Sequence, residues 1–271
     1  MPSSAAVGTD SRPPRIAADA ELPTLWHFRL SHYNEKARWA LDWKRLPHRR
    51  NAVIPGPHVP IIRWHTGQQQ VPVLRIDGAT INDSTRIIAA LETRYPDPPL
   101  YPADPTERAR ALALEDHFDE ELGPHIRRAF FYHLLQEPDA AVGTLTVGES
   151  ALTRSLYRAA FPLVRAFMRH DMGIDAERSA QSRAVVMAAL DRLEAELRPS
   201  GYLVGDAFSV ADLTAAALLA PLLRAEEFPY QLPPMIPALA EWRAAVADRP
   251  GFRWALDMYR RHRGISAAVS G

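Results

Sequence analysis

Val71-Pro72-Val73-Leu74-Arg75-Ile76, closed by Asp77-Gly78, is followed by Ala79-Thr80-Ile81 and then Asn82-Asp83-Ser84 ahead of Ile87-Ile88 and Leu91. Apolar runs broken at a Gly-containing turn, then acid and serine before a periodic apolar segment, predict strand, turn, strand and capped helix. Pro72 cannot donate to a ladder, so it marks an edge, a bulge or a cis turn. A cis turn would aim the Val71 backbone N–H and C=O at a ligand. Asp83 and Ser84 open the helix, whose first free N–H groups form an anion site. Two devices for holding a peptide-like ligand therefore lie about a dozen residues apart.

Upstream, Thr24-Leu25-Trp26-His27-Phe28 reads as a short strand, with Leu25 and His27 on one face. Tyr33, Ala37, Ala40 and Leu41 then give the apolar face of a helix that Pro47 ends. Glu35, Lys36, Arg38 and Asp42 fill its other face, with Arg38 and Asp42 spaced to pair. Ser31 falls at the strand-to-helix junction and is a good N-cap type. Asn51-Ala52-Val53-Ile54 reads as a second strand, and residues 59–64 as a short helix or an irregular piece. The order β-α-β-α-β-β-α over 24–95 is a thioredoxin-like arrangement.

Five prolines between Pro96 and Pro105 mark a linker. Beyond it the pattern is helical. A long first helix, which Gly123-Pro124 kinks or breaks, precedes helices near 150–171, 180–197, 210–225 and 237–247 and a shorter one from Phe252. Leu213 to Leu223 is apolar almost all round and predicts the buried central helix. Ser209-Val210-Ala211-Asp212 before it is a capping box. The expected organisation is a loose tail over 1–22, a thioredoxin-like domain over 23–97, a linker over 98–105, an all-helical domain over 106–260 and a tail over 261–271.

Gln70-Val71-Pro72-Val73-Leu74 with Asn82-Asp83-Ser84-Thr85-Arg86-Ile87-Ile88 resembles the glutathione-binding half of cytosolic glutathione transferases. Tyr202-Leu203-Val204-Gly205-Asp206-Ala207-Phe208-Ser209-Val210-Ala211-Asp212-Leu213 resembles the matching segment of that family's C-terminal domain. The resemblance implies a thiolate of glutathione attacking a small electrophile, by conjugation, isomerisation or dehalogenation. It implies glutathione as cosubstrate, no metal, and a homodimer joining one chain's first domain to the other's first long helices. The acidic face at Glu115–Glu121 and the arginines Arg86 and Arg94 are the charges that would complement each other there. A non-catalytic binding module on the same fold, and a transferase using another small thiol, stay open as alternatives.

Composition limits the chemistry further. Lys+Arg and Asp+Glu are 32 each, so no global field favours nucleic acid or an anionic membrane. The chain has no cysteine, which excludes disulfides, thiolate metal sites and redox cycling on its own sulfur. No apolar run is long enough to span a bilayer, and residues 1–22 lack a signal-peptide core, so a cytoplasmic protein is expected.

Ser31-His32-Tyr33-Asn34 occupies the place where thioredoxin-like folds keep their reactive group. The resemblance makes Ser31 the first choice to donate to a thiolate, against the plain alternative that it caps the helix. Asn34 is the second choice, where related sequences carry cysteine. Gln70, Val71, Pro72, Asp83 and Ser84 are the expected glutathione contacts. Tyr33 reads as core packing with a share in the second-substrate pocket, which the resemblance also places at Phe130, Phe131 and Tyr132. The acidic run from Glu115 to Glu121 puts His117 and Glu121 on one face, yet no second such pair completes a metal cage. A solvated helix face is the simpler reading.

Overall fold

The computed structural model describes residues 21–269, so most of the expected N-terminal tail lies outside the described residues. Strands β1 (Thr24–His27), β2 (Arg49–Ala52), β3 (Val73–Ile76) and β4 (Ala79–Asn82) form one sheet in the order β2-β1-β3-β4. The β1–β2 pair is parallel across α1 (His32–Trp43), while β3 is antiparallel to both neighbours. Leu25 stands opposite Leu74, and Trp26 opposite Val73, all buried. Helices α2 (His58–Thr66) and α3 (Ser84–Arg94) complete the thioredoxin-like unit. The second strand thus starts two residues before its expected place, and α2 is a regular helix ended by Gly67 at a φ of 71°.

The helical unit runs α4 (Pro105–His117), a π-helical turn (Phe118–Leu122), α5 (Gly123–Leu134), α6 (Pro138–Leu145), α7 (Ala151–Asp171), α8 (Ala176–Glu196), α9 (Val210–Leu223), α10 (Pro237–Val246) and α11 (Pro250–His262). Just ahead of Gly123-Pro124, where a kink or break was expected, the π-helical turn interrupts the regular helix. Helix α6 had no sequence counterpart, and α8 starts at Ala176, capped by Asp175, ahead of its expected place near 180. Helix α9 is buried on every side except at Pro221 and packs on α1, α4 and α11. Asp212 accepts hydrogen bonds from Ser209 N–H at 2.9 Å, from Ser209 Oγ at 2.7 Å and from Leu203 N–H at 2.8 Å. Burial nevertheless pushes its carboxyl up to about 6.

Three expectations fail for one reason. The polar face of α1 meets protein: Glu35, Lys36, Arg38 and Asp42 are all buried. Arg38 pairs with Glu35 instead of Asp42, at 2.8 Å. Residues 263–269 are no tail, because Arg263 is buried against Glu35 and Asp42, and Ala268 bridges in parallel to His48 beside β2. The acidic face of the α4–α5 region is partly consumed too, since Lys36 Nζ lies 2.9 Å from Glu115 and 2.7 Å from Asp119. Charges that looked solvated on each helix are each other's partners across the fold.

Candidate functional site

A cleft of about 750 Å³ opens between the two units, bounded by the β1–α1 junction, the Gln69–Pro72 turn, the start of α3, helices α5 and α7, and the loop after α9. It brings together Ser31, Tyr33, Gln70, Val71, Pro72, Asp83, Ser84, Phe130 and Phe131. Asn34 and Tyr132 are not on its wall.

Ser31 is the N-cap of α1, with extended backbone, and its Oγ accepts the Asn34 N–H at 3.4 Å. A hydroxyl has two lone pairs and one hydrogen, so this contact leaves the Ser31 O–H free to donate into the cleft. The cap and donor roles are therefore compatible in one side chain. The N-terminal N–H groups of α1 add positive potential at the same spot.

Asn34 is fully buried and turns the other way, its Oδ1 accepting the Phe28 N–H at 3.3 Å. It braces the β1–α1 loop through that oxygen, while its amide nitrogen is buried without a partner and lies off the cleft wall. Tyr33 is also tied down, donating from its hydroxyl to the Asp119 carbonyl at 2.8 Å. Burial, reinforced by Asp119, holds its phenol above the usual range, so it stays a neutral wall residue. His32 shares a hydrogen bond of 3.0 Å between Nε2 and the Gly123 carbonyl. Burial, with Arg127 nearby, pushes it down to about 3, so it is neutral and a poor base.

The Val71–Pro72 bond is cis, and Val71 N–H and C=O carry no hydrogen bond to the described residues. Across the cleft, Asp83 sits at a φ of 72° and its Oδ1 accepts the Arg86 N–H at 3.1 Å. That contact leaves the preceding N–H groups of α3, beside the buried Ser84, to meet an anion. An open backbone donor and acceptor opposite an open helix N-terminus fits a γ-glutamyl peptide, which needs both. Among the described residues no group of three His, Asp or Glu side chains is placed to hold a metal ion.

The aromatic helix α5 supplies Phe130 and Phe131 to the cleft; all three aromatics pack on the cluster that holds Leu135 and Phe161, but Tyr132 does not reach the cleft wall. In the sequence Arg127 reads only as part of a weak basic and aromatic nucleic-acid signal, with no role in this site; it lies one turn before Phe130 and Phe131 and so on the same helix face. Its guanidinium lies 6.0 Å from the Tyr33 ring centre, its Nε is buried without a partner, and it forms no ion pair among the described residues. Of the other missed cleft arginines, Arg29 is already held by Val147 O at 2.9 Å and Glu149 at 2.5 Å, and Arg224 donates to Leu232 O at 3.3 Å. Phe167 and Met168 of α7 and Phe228 of the loop after α9 close the apolar wall. No motif announces them, because their positions depend on packing between helices.

Family models described as glutathione S-transferase, N-terminal domain, and glutathione S-transferase, C-terminal domain, match residues 25–99 and 156–250. A probable maleylacetoacetate isomerase of Caenorhabditis elegans is 47% identical over 45 residues, which is 17% of this chain and only 21% of that protein's length. FtsZ-localized protein A of Caulobacter vibrioides is 26% identical over 85% of this chain and 89% of its own. A glutathione S-transferase of Methylobacterium radiotolerans, solved with glutathione sulfonate, shares the fold at a TM-score of 0.54 and 24% identity, covering 86% of this chain and 94% of its own. Matches to both halves, joined around a cleft with the Val71–Pro72 turn and the Asp83–Ser84 helix start, make this chain a member of the glutathione S-transferase family of enzymes.

Proposed function

We propose that this chain binds glutathione along Gln70, Val71, Pro72, Asp83 and Ser84, and aims its thiolate at a small electrophile that carries an anionic group. The observation that carries the reading is the free Ser31 hydroxyl at the mouth of α1, in the same cleft as the open Val71 backbone and the α3 N-terminus. The thiolate accepts from Ser31 and from the first N–H groups of α1, which lowers its pKa and raises the reactive fraction. Phe130 and Phe131 receive the apolar body of the electrophile, and Arg127 its carboxylate or developing oxyanion. The protein's share of the rate is thiolate stabilisation and juxtaposition of two substrates. Among the reactions open to such a thiolate, isomerisation draws support from the short segment shared with the probable maleylacetoacetate isomerase. The proposed assembly is a homodimer, and the proposed location is the cytoplasm.

The test is Ser31→Ala. Turnover should fall about ten- to a thousandfold while glutathione affinity changes little, since one donor to a developing anion contributes a few kcal/mol at most. The ultraviolet absorbance of bound thiolate against pH should shift upward in the variant. Wild-type protein that binds the thiol at an unshifted pKa and turns over no electrophile overturns the enzyme reading. A second reading, a binding module, is favoured by one observation: the relative matching 85% of the chain is named for localisation with FtsZ. A different small thiol is distinguished by mass spectrometry of the protein purified from its own host.

A further inference from the structure

Helices α6 and α7 enclose an open groove of about 470 Å³ that shares no lining residue with the cleft. Val142 of α6 and Phe161 of α7 are buried and form its apolar floor, flanked by Pro138, Pro162 and Ala166. Arg158, Arg165 and Arg169 stand along its α7 wall. Spacings of seven and four residues put the three within an arc of about 40° and along about 16 Å of the helix axis. A row of guanidinium groups beside an apolar floor suits a ligand that brings carboxylates and an apolar side chain together.

The chain as a whole balances 32 cationic against 32 acidic residues, but α7 does not. Arg154, Arg158, Arg165 and Arg169 share one side of this helix, while Asp171, its one acidic residue, lines the cleft. Among the described residues Arg158 has a counter-charge in Asp139, from the first turn of α6, and Arg165 and Arg169 form no ion pair. A carboxylate carried on neighbouring backbone thus already docks on one arginine of the row, and two are left for carboxylates from outside. The groove also offers an acceptor. Pro162, inside α7, has no N–H to give the Arg158 carbonyl, which therefore lacks its usual helical partner.

We infer that this groove docks an extended acidic segment of a partner protein. Alternate residues of an extended chain lie about 6.6 Å apart on one side, close to the rise of about 6 Å from Arg165 to Arg169. Two carboxylates at such positions meet the two arginines, and the apolar residue between them turns to Phe161 and Val142. A peptide N–H serves the Arg158 carbonyl, and about five residues cover the row.

Other occupants fit less well. A single small carboxylate engages only one end of a row about 16 Å long. A bilayer cannot follow apolar groups that form the floor of a groove, since membrane-surface helices present theirs outward. Nucleic acid has no use for that floor and finds no global field on a chain of balanced charge. The chain's own residues 1–20 carry Asp10 and Asp19 against Arg12 and Arg15, so they bring no surplus of negative charge.

The inference is independent of the thiol chemistry, and its experiment reads only peptide binding. The full chain is titrated into a fluorescein-labelled hexapeptide of alternating glutamate and leucine, followed by anisotropy. Saturable one-to-one binding that weakens with added salt is expected. R165E/R169E should lower the affinity about tenfold or more and leave the melting temperature in place. A166W fills the groove from an exposed position without changing charge, and should lower the affinity as well. Hexaglutamate should bind about tenfold more weakly than the mixed peptide, because it brings nothing to the floor. Absence of saturable binding overturns the inference, as does an affinity that either variant leaves unchanged. Equal binding of hexaglutamate overturns it too, by reducing the groove to a diffuse charge. So does equal competition by a peptide of residues 1–20, which would give the groove to the chain's own N-terminus. Tighter binding of duplex DNA or anionic vesicles through the same two arginines overturns it likewise.

Discussion

Arg263, in the first turn beyond α11, lies with its Nε 2.5 Å from Glu35 Oε1 and its Nη1 2.8 Å from Asp42 Oδ2, both on α1. Glu35 also meets Arg38, and Asp42 also meets Arg50 at 2.6 Å. Burial alone would raise the Asp42 carboxyl, but Arg263 and Arg50 outweigh it and hold the group below its usual range. The first domain thus contains two carboxylates that each hold one cation of their own, Arg38 or Arg50, and take a second, Arg263, from the helical domain.

Arg263→Ala should be severe. It leaves Glu35 and Asp42 short of a partner in a site closed to water, and breaking one side of a buried pair costs about 3–5 kcal/mol. Denaturant unfolding should show the loss in the midpoint. A change below about 1 kcal/mol, the range of an exposed pair, would mean that water reaches the site.

Acid should unfold this protein early. His48 and His262 are pushed down to about 4 by burial, aided by Arg50 and Arg261, His32 to about 3, and His27 well below its usual value. Below about pH 6.5 the unfolded chain binds protons at these imidazoles while the folded chain does not, so stability falls as pH drops from about 6.5 toward 4. Asp212 works the other way: its folded pKa of about 6 is raised, so its contribution falls as pH rises from about 4 to 6. Glu115, also raised by burial, acts in the same direction as Asp212, and four imidazoles against two carboxyls give a net loss on acidification. Melting temperature measured from pH 7 to 4.5 should decline throughout, and a flat profile would contradict the neutral imidazoles.

Arg127 should read charge on the second substrate. Arg127→Met keeps much of the bulk and should lower kcat/KM about ten- to a hundredfold for carboxylate-bearing electrophiles, one to two charge-assisted hydrogen bonds' worth. Neutral electrophiles should be nearly unaffected. Equal losses on both classes would reassign Arg127 to packing on Tyr33.

Ser84→Ala should weaken glutathione by about 1–3 kcal/mol, the usual loss for a hydrogen bond to a charged group. Calorimetry on the folded variant is the measurement. An unchanged affinity would place the γ-glutamyl end elsewhere.

The parts of the site that were legible in the sequence are those made by backbone devices. Val71–Pro72, Asp83–Ser84 and the Ser31 cap each depend on residues within a few positions, so local chemistry declares them. Arg127, Phe167 and the turning inward of Asn34 depend on where helices pack, which no local pattern carries. Glu35, Lys36 and Asp42 show the same limit from the other side. Their spacing describes a polar face correctly, but whether that face meets water or Arg263 and Glu115 is decided more than 70 residues away.

The link from Glu35 to Arg263 spans 228 positions of chain. During synthesis α1 and the four strands emerge long before α11, with Glu35 and Asp42 paired to Arg38 and Arg50 and still lacking the Arg263 they share. The domain made first is therefore completed last. A ribosome-bound chain holding residues up to about 100 should stay protease-sensitive around α1, becoming resistant only after Arg263 has left the exit tunnel.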